Sequence, residues 1–482
     1  MLHPIIYVRG YAMTESERNE TASDPFCGFN AGSTVFRATP DKTSKADKFV
    51  FESPVLRLVT DFGYRHVYEN GADILDPDWS APPDSKGNPG KGIPPQSIVV
   101  YRYYDDGSSL LGSGRARDII EYAKGLGDLI LRVKSLVCEW KGEDGRSVKP
   151  EEFRCYLVAH SMGGLVARAF LQNKDLGDVD ARKAVDKLFT FATPHNGIDV
   201  AGFNVPQWLS KNEANTFNRD EMARYLDIQD IASANGGRVD LVPEDVLPTD
   251  RIFTLVGTNR GDYEVAMGMV RAFVGHGSDG LVRVANATVW GVDRATKRPT
   301  RPAAKAYCYR SHSGFFGIVN SEEAYQNLSR FLFGDLRVDI WIEIASVTLP
   351  VGLQKKAKDV EALYQFELLA SPRGKRWYLT RRISEEDSPA CRTHSQLANP
   401  QEERDRLMYM SSVFLMNRAR VNVKNPSLAY AMTLGVKVPD YQLEKRFWAD
   451  QHYEGGNLFR DTAIVEMVEP VAAGRDWSVK FG

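Results

Sequence analysis

The stretch YLVAHSMGGLVAR, residues 156–168, sets Ser161 between His160 and Met162, with Gly163 and Gly164 directly behind. An apolar run leads in and a helix-like run leads out. Such a serine is either a nucleophile held up for attack or no more than a tight strand-to-helix turn. A serine hydroxyl attacks only when an adjacent base takes its proton, and the base in turn needs a group that orients it. The chain offers both after the serine. GHGSDGLVRV, 275–284, supplies Asp279 in a glycine-flanked turn, and YCYRSHSGFFG, 307–317, supplies His312 after a strand-like run. Taken alone, Asp279 reads equally as an Asx-type turn, since Asp-Gly is a favoured turn pair. Asp262, in NRGDYEV, is the reserve acid.

Small residues stand two places before and two after the serine, Ala159 and Gly163, where a strand and a helix must approach closely. On these residues the chain resembles the α/β-hydrolase superfamily. AHSMGGLVAR is most similar to its lipase and esterase branch, including lipases related to the GPI-inositol deacylases. The resemblance covers about residues 1–334 and implies a triad in the chain order Ser161, Asp279, His312. It also implies an oxyanion hole built from backbone N–H groups. One is that of Met162, at a helix N-terminus, and the other that of Tyr11, in PIIYVRGYAM, where Arg9 stands in place of a usual histidine. His160 takes a supporting position and His195, in ATPHNG, a structural one. His276 precedes Asp279 by three residues without a third ligand beside them, so neither a metal nor a cofactor is expected.

The elements that must position these groups are legible in the first two thirds of the chain. Strand candidates are IIYV (5–8), SIVVYRY (97–103), FRCYLVA (153–159), KLFTFA (187–192), IFTLVG (252–257) and AKAYCYR (304–310). Helical stretches fall at 115–138, 162–173 and 321–333. The alternation argues for βαβ units and a largely parallel sheet. Between Ala192 and Asp279 lie about 85 residues, far beyond the usual 2–6-residue connection. In the hydrolase fold such an insertion forms a cap over the serine, here about 198–250, with Phe203, Trp208, Met267 and Phe273 as acyl-pocket candidates. A subsidiary core under a long loop is the competing account of the same residues.

After residue 334 the pattern changes. VDIWIEI alternates Val338, Ile340, Ile342 and Ile344 with Asp339 and Glu343, and YAMTLGVKV repeats the alternation from Tyr430 to Val438. With further runs at 362–370, 376–382, 408–416 and 463–468, this predicts a C-terminal all-β, sandwich-like domain over 335–482.

Bulk properties narrow the function. At 482 residues the chain is too long for one ordinary core. A net charge of −2 gives no electrostatic reason to expect nucleic acid. Five widely spaced cysteines without a CxxC pair suggest neither a disulfide framework nor a zinc site. The N-terminus, MLHPIIYVRGY, shows no signal peptide, and no apolar run approaches the roughly 20 residues of a spanning helix. The expectation is a chain made in the cytoplasm, with export lacking a cleavable signal left open. The reading is a serine ester hydrolase of the lipase, phospholipase or esterase type acting on a lipid or other acyl ester. Acyl transfer, thioester or amide cleavage would use the same three residues, and a non-catalytic binding protein is the remaining alternative. Peripheral membrane contact, or a protein partner for the C-terminal domain, fits the same reading.

Overall fold

IIYV, CYLVAH and IFTLVG are buried at every position, as strands covered on both faces must be. They belong to a computed structural model that describes residues 2–10, 34–37, 47–50, 54–67, 74–75, 79–83, 87, 90–103, 118–142, 145–200, 203–204, 214–261, 277–313, 317–355, 360–401, 403–420, 427–443, 451–470 and 476–482. Its contacts divide the chain into two units, 1–303 with 310–332, and 304–309 with 333–482.

In the first unit the strands are β1 (Ile5–Val8), β2 (Arg65–His66), β3 (Ser97–Tyr101), β4 (Cys155–His160), β5 (Val185–Phe191) and β6 (Ile252–Gly257). The segment Ala304–Cys308, β7, completes a seven-stranded sheet in the order β7-β6-β5-β4-β1-β3-β2. From β2 to β6 every pairing is parallel. Helices α1 (Pro54–Phe62), α2 (Ile119–Glu139), α3 (Met162–Gln172) and α4 (Glu322–Phe333) accompany the sheet. The α2 helix starts where Asp118 accepts the amide of Glu121 at 2.9 Å, which satisfies one orphan donor of the first turn. All residues of α3 are buried. A parallel sheet with β4 at its centre, followed at once by a buried helix, is the α/β-hydrolase fold.

Of the long insertion, Asp199–Val200 and Phe203–Asn204 pair as a short hairpin, while Arg219–Tyr225 and Gln229–Ala234 are helical. Met222, Ile228 and Ile231 are fully buried.

The second unit is antiparallel. One pair joins β8 (Leu336–Glu343) to β12 (Leu407–Leu415). The larger sheet combines β9 (Val360–Pro372), β10 (Thr380–Arg382), β11 (Ala390–Thr393), β13 (Ser427–Leu443), β14 (Gln451–Val468) and β15 (Ser478–Phe481). Ile340 and Met410 from the pair share one apolar core with Tyr364, Phe366, Leu368 and Val438 from the larger sheet. Two sheets closing on a common core make the arrangement sandwich-like. Among the described residues no helix is long and apolar enough to cross a membrane.

Candidate active site

Ser161 sits at the junction of β4 and α3 with φ 51° and ψ −127°, a region that L-residues avoid and that costs on the order of 1–3 kcal/mol. Three bonds hold it there. Its amide donates to the Phe191 carbonyl (2.9 Å), and its carbonyl accepts from the Thr193 hydroxyl (2.9 Å) and the Gly164 amide (3.0 Å). The turn also needs bare backbone. A Cβ on Gly163 would land on the carbonyl oxygens of Val8 and Arg9, and one on Gly10 would come within 2.8 Å of the Ser161 Cβ. Ser161 occupies the N-cap of α3, yet its hydroxyl makes no capping bond. It points elsewhere.

That direction is His312. Ser161 Oγ lies 2.8 Å from His312 Nε2, and His312 Nδ1 lies 2.9 Å from Asp279 Oδ2. With Asp279 ionised, Nδ1 carries the ring proton and donates it, which leaves Nε2 to accept from the serine hydroxyl. The other carboxylate oxygen, Oδ1, accepts the amides of Leu281 (3.0 Å) and Val282 (2.7 Å). The turn reading and the acid reading of Asp279 are therefore compatible, because each uses a different oxygen. The His312 amide donates to the Asp279 carbonyl (3.0 Å), so the two residues are tied through main chain as well as side chain. All three side chains are buried.

Two further histidines of this unit, His160 and His195, are buried. His160 Nε2 lies 2.9 Å from the His312 carbonyl, and the two rings are 5.0 Å apart. Burial, reinforced by the neighbouring His312, pushes the His160 pKa well below the usual imidazole range. His195 contacts the Thr190 hydroxyl at 3.0 Å, and burial, with the charge of Arg168, also holds it well below that range. Arg168, on α3, is itself buried and donates to the carbonyls of His195 (3.0 Å), Val239 (2.8 Å) and Leu241 (3.0 Å). Burial lowers its pKa to about 10. It fastens α3 to the insertion.

Ser161, Asp279 and His312 are thus brought together, with Met162 opening α3 beside them. Tyr11, Trp208, Met267 and Phe273 lie outside the described residues, as does the reserve acid Asp262, and of Phe203 only the backbone is described, in the 199–204 hairpin. Sequence reasoning missed the Tyr103 hydroxyl, which donates to the Arg9 carbonyl at 2.6 Å. It also missed a network in which Asp199 accepts from Arg219 (2.9 Å) and from Asn286 (2.8 Å), tying the loop after β5 to the loop that carries Asp279. No local motif announces either: Tyr103 and Arg9 stand 94 positions apart, Asn286 and Asp199 87, and Arg219 and Asp199 20. Among the described residues no group of His, Cys, Asp and Glu side chains is placed to hold a metal.

Residues 113–253 match the family model described as the PGAP1-like alpha/beta domain, so the resemblance read from AHSMGGLVAR holds over that stretch. No curated protein matches the chain. Among solved structures it is similar to the lipase BlEst2 of Bacillus licheniformis in its propeptide form, at 10% identity and a TM-score of 0.32 over 99% of this chain and 96% of that one. It is also similar to the phospholipase PlaB of Legionella pneumophila, at 13% identity and a TM-score of 0.32 over 96% and 90%.

Proposed function

We propose that the chain is a serine carboxylic ester hydrolase of the lipase or phospholipase type. The observation that carries the reading is the buried relay Ser161 Oγ–His312 Nε2 and His312 Nδ1–Asp279 Oδ2, at 2.8 and 2.9 Å, set on a strained strand-to-helix turn. His312 takes the hydroxyl proton as Ser161 Oγ bonds to the ester carbonyl carbon. Asp279 keeps the imidazole in the tautomer that accepts and stabilises the imidazolium that results. The carbonyl oxygen gains negative charge beside the first amide of α3, that of Met162, where the helix terminus favours an anion. Collapse of the tetrahedral species expels the alcohol, which receives the proton from His312 and leaves the acyl group on Ser161. Water, deprotonated by the same imidazole, attacks the acyl-enzyme and releases the acid. The second oxyanion donor assigned to this reading is the amide of Tyr11.

The insertion favours an acyl chain over a small polar ester, and the substrate class is taken to be lipid esters. Wild type and Ser161→Ala, each incubated with a total lipid extract and compared by mass spectrometry, test this reading. Loss of a defined set of ester lipids with wild type only is expected. Identical extracts from both proteins would contradict it, and new esters in place of free acids would move the assignment to acyl transfer.

A further inference from the structure

The base of a triad must be held in place through its backbone, because its ring nitrogens are both committed. His312 is gripped on both sides. Its amide donates to the Asp279 carbonyl at 3.0 Å, and its carbonyl faces His160 Nε2 at 2.9 Å. Only a donor can bond a carbonyl oxygen, so His160 carries its proton on Nε2. His160 is the last residue of β4, at the centre of the sheet, and is joined by a peptide bond to Ser161. Nucleophile and base therefore hang from one anchor. A backbone shift of His312 away from Ser161 would also strain the His160 bond.

The environment keeps this anchor neutral. His160 is buried, with the His312 imidazole 5.0 Å away and the charge of Arg9 also acting on it. A neutral ring is what the chemistry requires there, because His312 gains a positive charge each time it takes the serine proton, and a second imidazolium beside it would oppose that step.

We propose that His160 is a positioning residue that fixes the general base through the His312 carbonyl. This rests on Ser161, Asp279 and His312 being the reacting set. Three substitutions separate a positioned N–H donor from mere bulk or polarity. Glutamine carries an amide that reaches the place of the imidazole Nε2, asparagine carries one that falls short near Nδ1, and leucine carries none. The measurement is kcat and KM on a short p-nitrophenyl ester across pH, with thermal unfolding of each variant alongside and Ser161→Ala as the reference.

His160→Leu and His160→Asn are expected to lose about 10- to 100-fold in kcat at nearly constant KM, with the acid limb of the pH profile displaced, and His160→Gln to recover most of the loss. Equal losses in all three variants, or none in any, would overturn the role. Inactivity of His160→Gln matching that of Ser161→Ala, in a folded protein, would overturn it too, by making the ring itself part of the chemistry. If wild type and Ser161→Ala hydrolyse the ester equally, the reading of the triad has failed and the role of His160 falls with it. If Ser161→Ala is inert while the leucine variant matches wild type, the positioning role alone has failed.

Discussion

Asp279 divides its carboxylate between two tasks, and a single substitution separates them. Oδ1 closes the turn over Leu281 and Val282, while Oδ2 faces His312 Nδ1. Asparagine keeps an oxygen for the turn but turns an N–H toward the imidazole, which forces the ring proton onto Nε2 and removes the acceptor for Ser161. Asp279→Asn should therefore fold normally and lose about 1,000- to 10,000-fold in kcat. A greater loss in Asp262→Asn would identify the wrong loop as the source of the acid. Titration at the same scale predicts a pH dependence of stability. His3, His160, His195 and His394 all have pKa values lowered by burial, so each binds a proton more readily in the unfolded chain. Stability is then fully present above about pH 6.5 and falls as pH drops below it, by up to about 1.4 kcal/mol per pH unit for the fully buried His160 and His195 and by less for His3 and His394, which solvent screens. Urea unfolding at pH 7.5 and 5.5 checks the sign, and a midpoint that rises on acidification contradicts it.

Elements decide how much of this was readable beforehand. β1, β4 and β6 were visible as continuous apolar runs because both of their faces are covered, and the edges of α2 and α4 fall within a few residues of the sequence pattern. The C-terminal strands were read less well. Residues 376–382 looked like one strand, but the strand spans only Thr380–Arg382, after a turn in which Lys375 N–H donates to the Pro372 carbonyl. Only parts of β13 and β14 were recognised, and β15 was missed. All four residues of β15 are exposed, so it carries no inside-outside alternation. Of the site, residue types and chain order gave the three central side chains, whereas main-chain contacts such as Tyr103 to Arg9 leave no trace in a linear pattern. The turn itself makes the sharpest element-scale prediction. Gly163→Ala drives a methyl group onto the Val8 and Arg9 carbonyls and should destabilise by about 1–3 kcal/mol while lowering turnover. Denaturant unfolding measures the first effect, and an unchanged midpoint would mean that the backbones can part without penalty.

At the scale of the whole molecule, the three residues of the proposed triad precede the C-terminal strands in the chain, yet β7 keeps company with those strands. Ser411 donates to the Lys305 carbonyl at 2.8 Å, Tyr307 N–H donates to the Thr380 hydroxyl at 3.2 Å, and the Arg382 guanidinium lies 4.3 Å over the Tyr307 ring. His312 follows β7 by four residues in sequence. Ending the chain at residue 335 strips β7 of these partners, so the fragment is expected to unfold at a lower temperature and to turn over short esters more slowly than the full chain. Equal melting and equal turnover would show that β7 needs none of them.

The central claim is that Ser161 is a nucleophile activated by His312, and covalent capture tests it most directly. A fluorophosphonate reacts with an activated serine and stays attached, so peptide mapping by mass spectrometry reads both the site and its dependence on the base. The account predicts a single adduct on Ser161 in the wild type, and labelling at least about 100-fold slower in His312→Ala. An adduct on another residue, or undiminished labelling of Ser161 without His312, would contradict it.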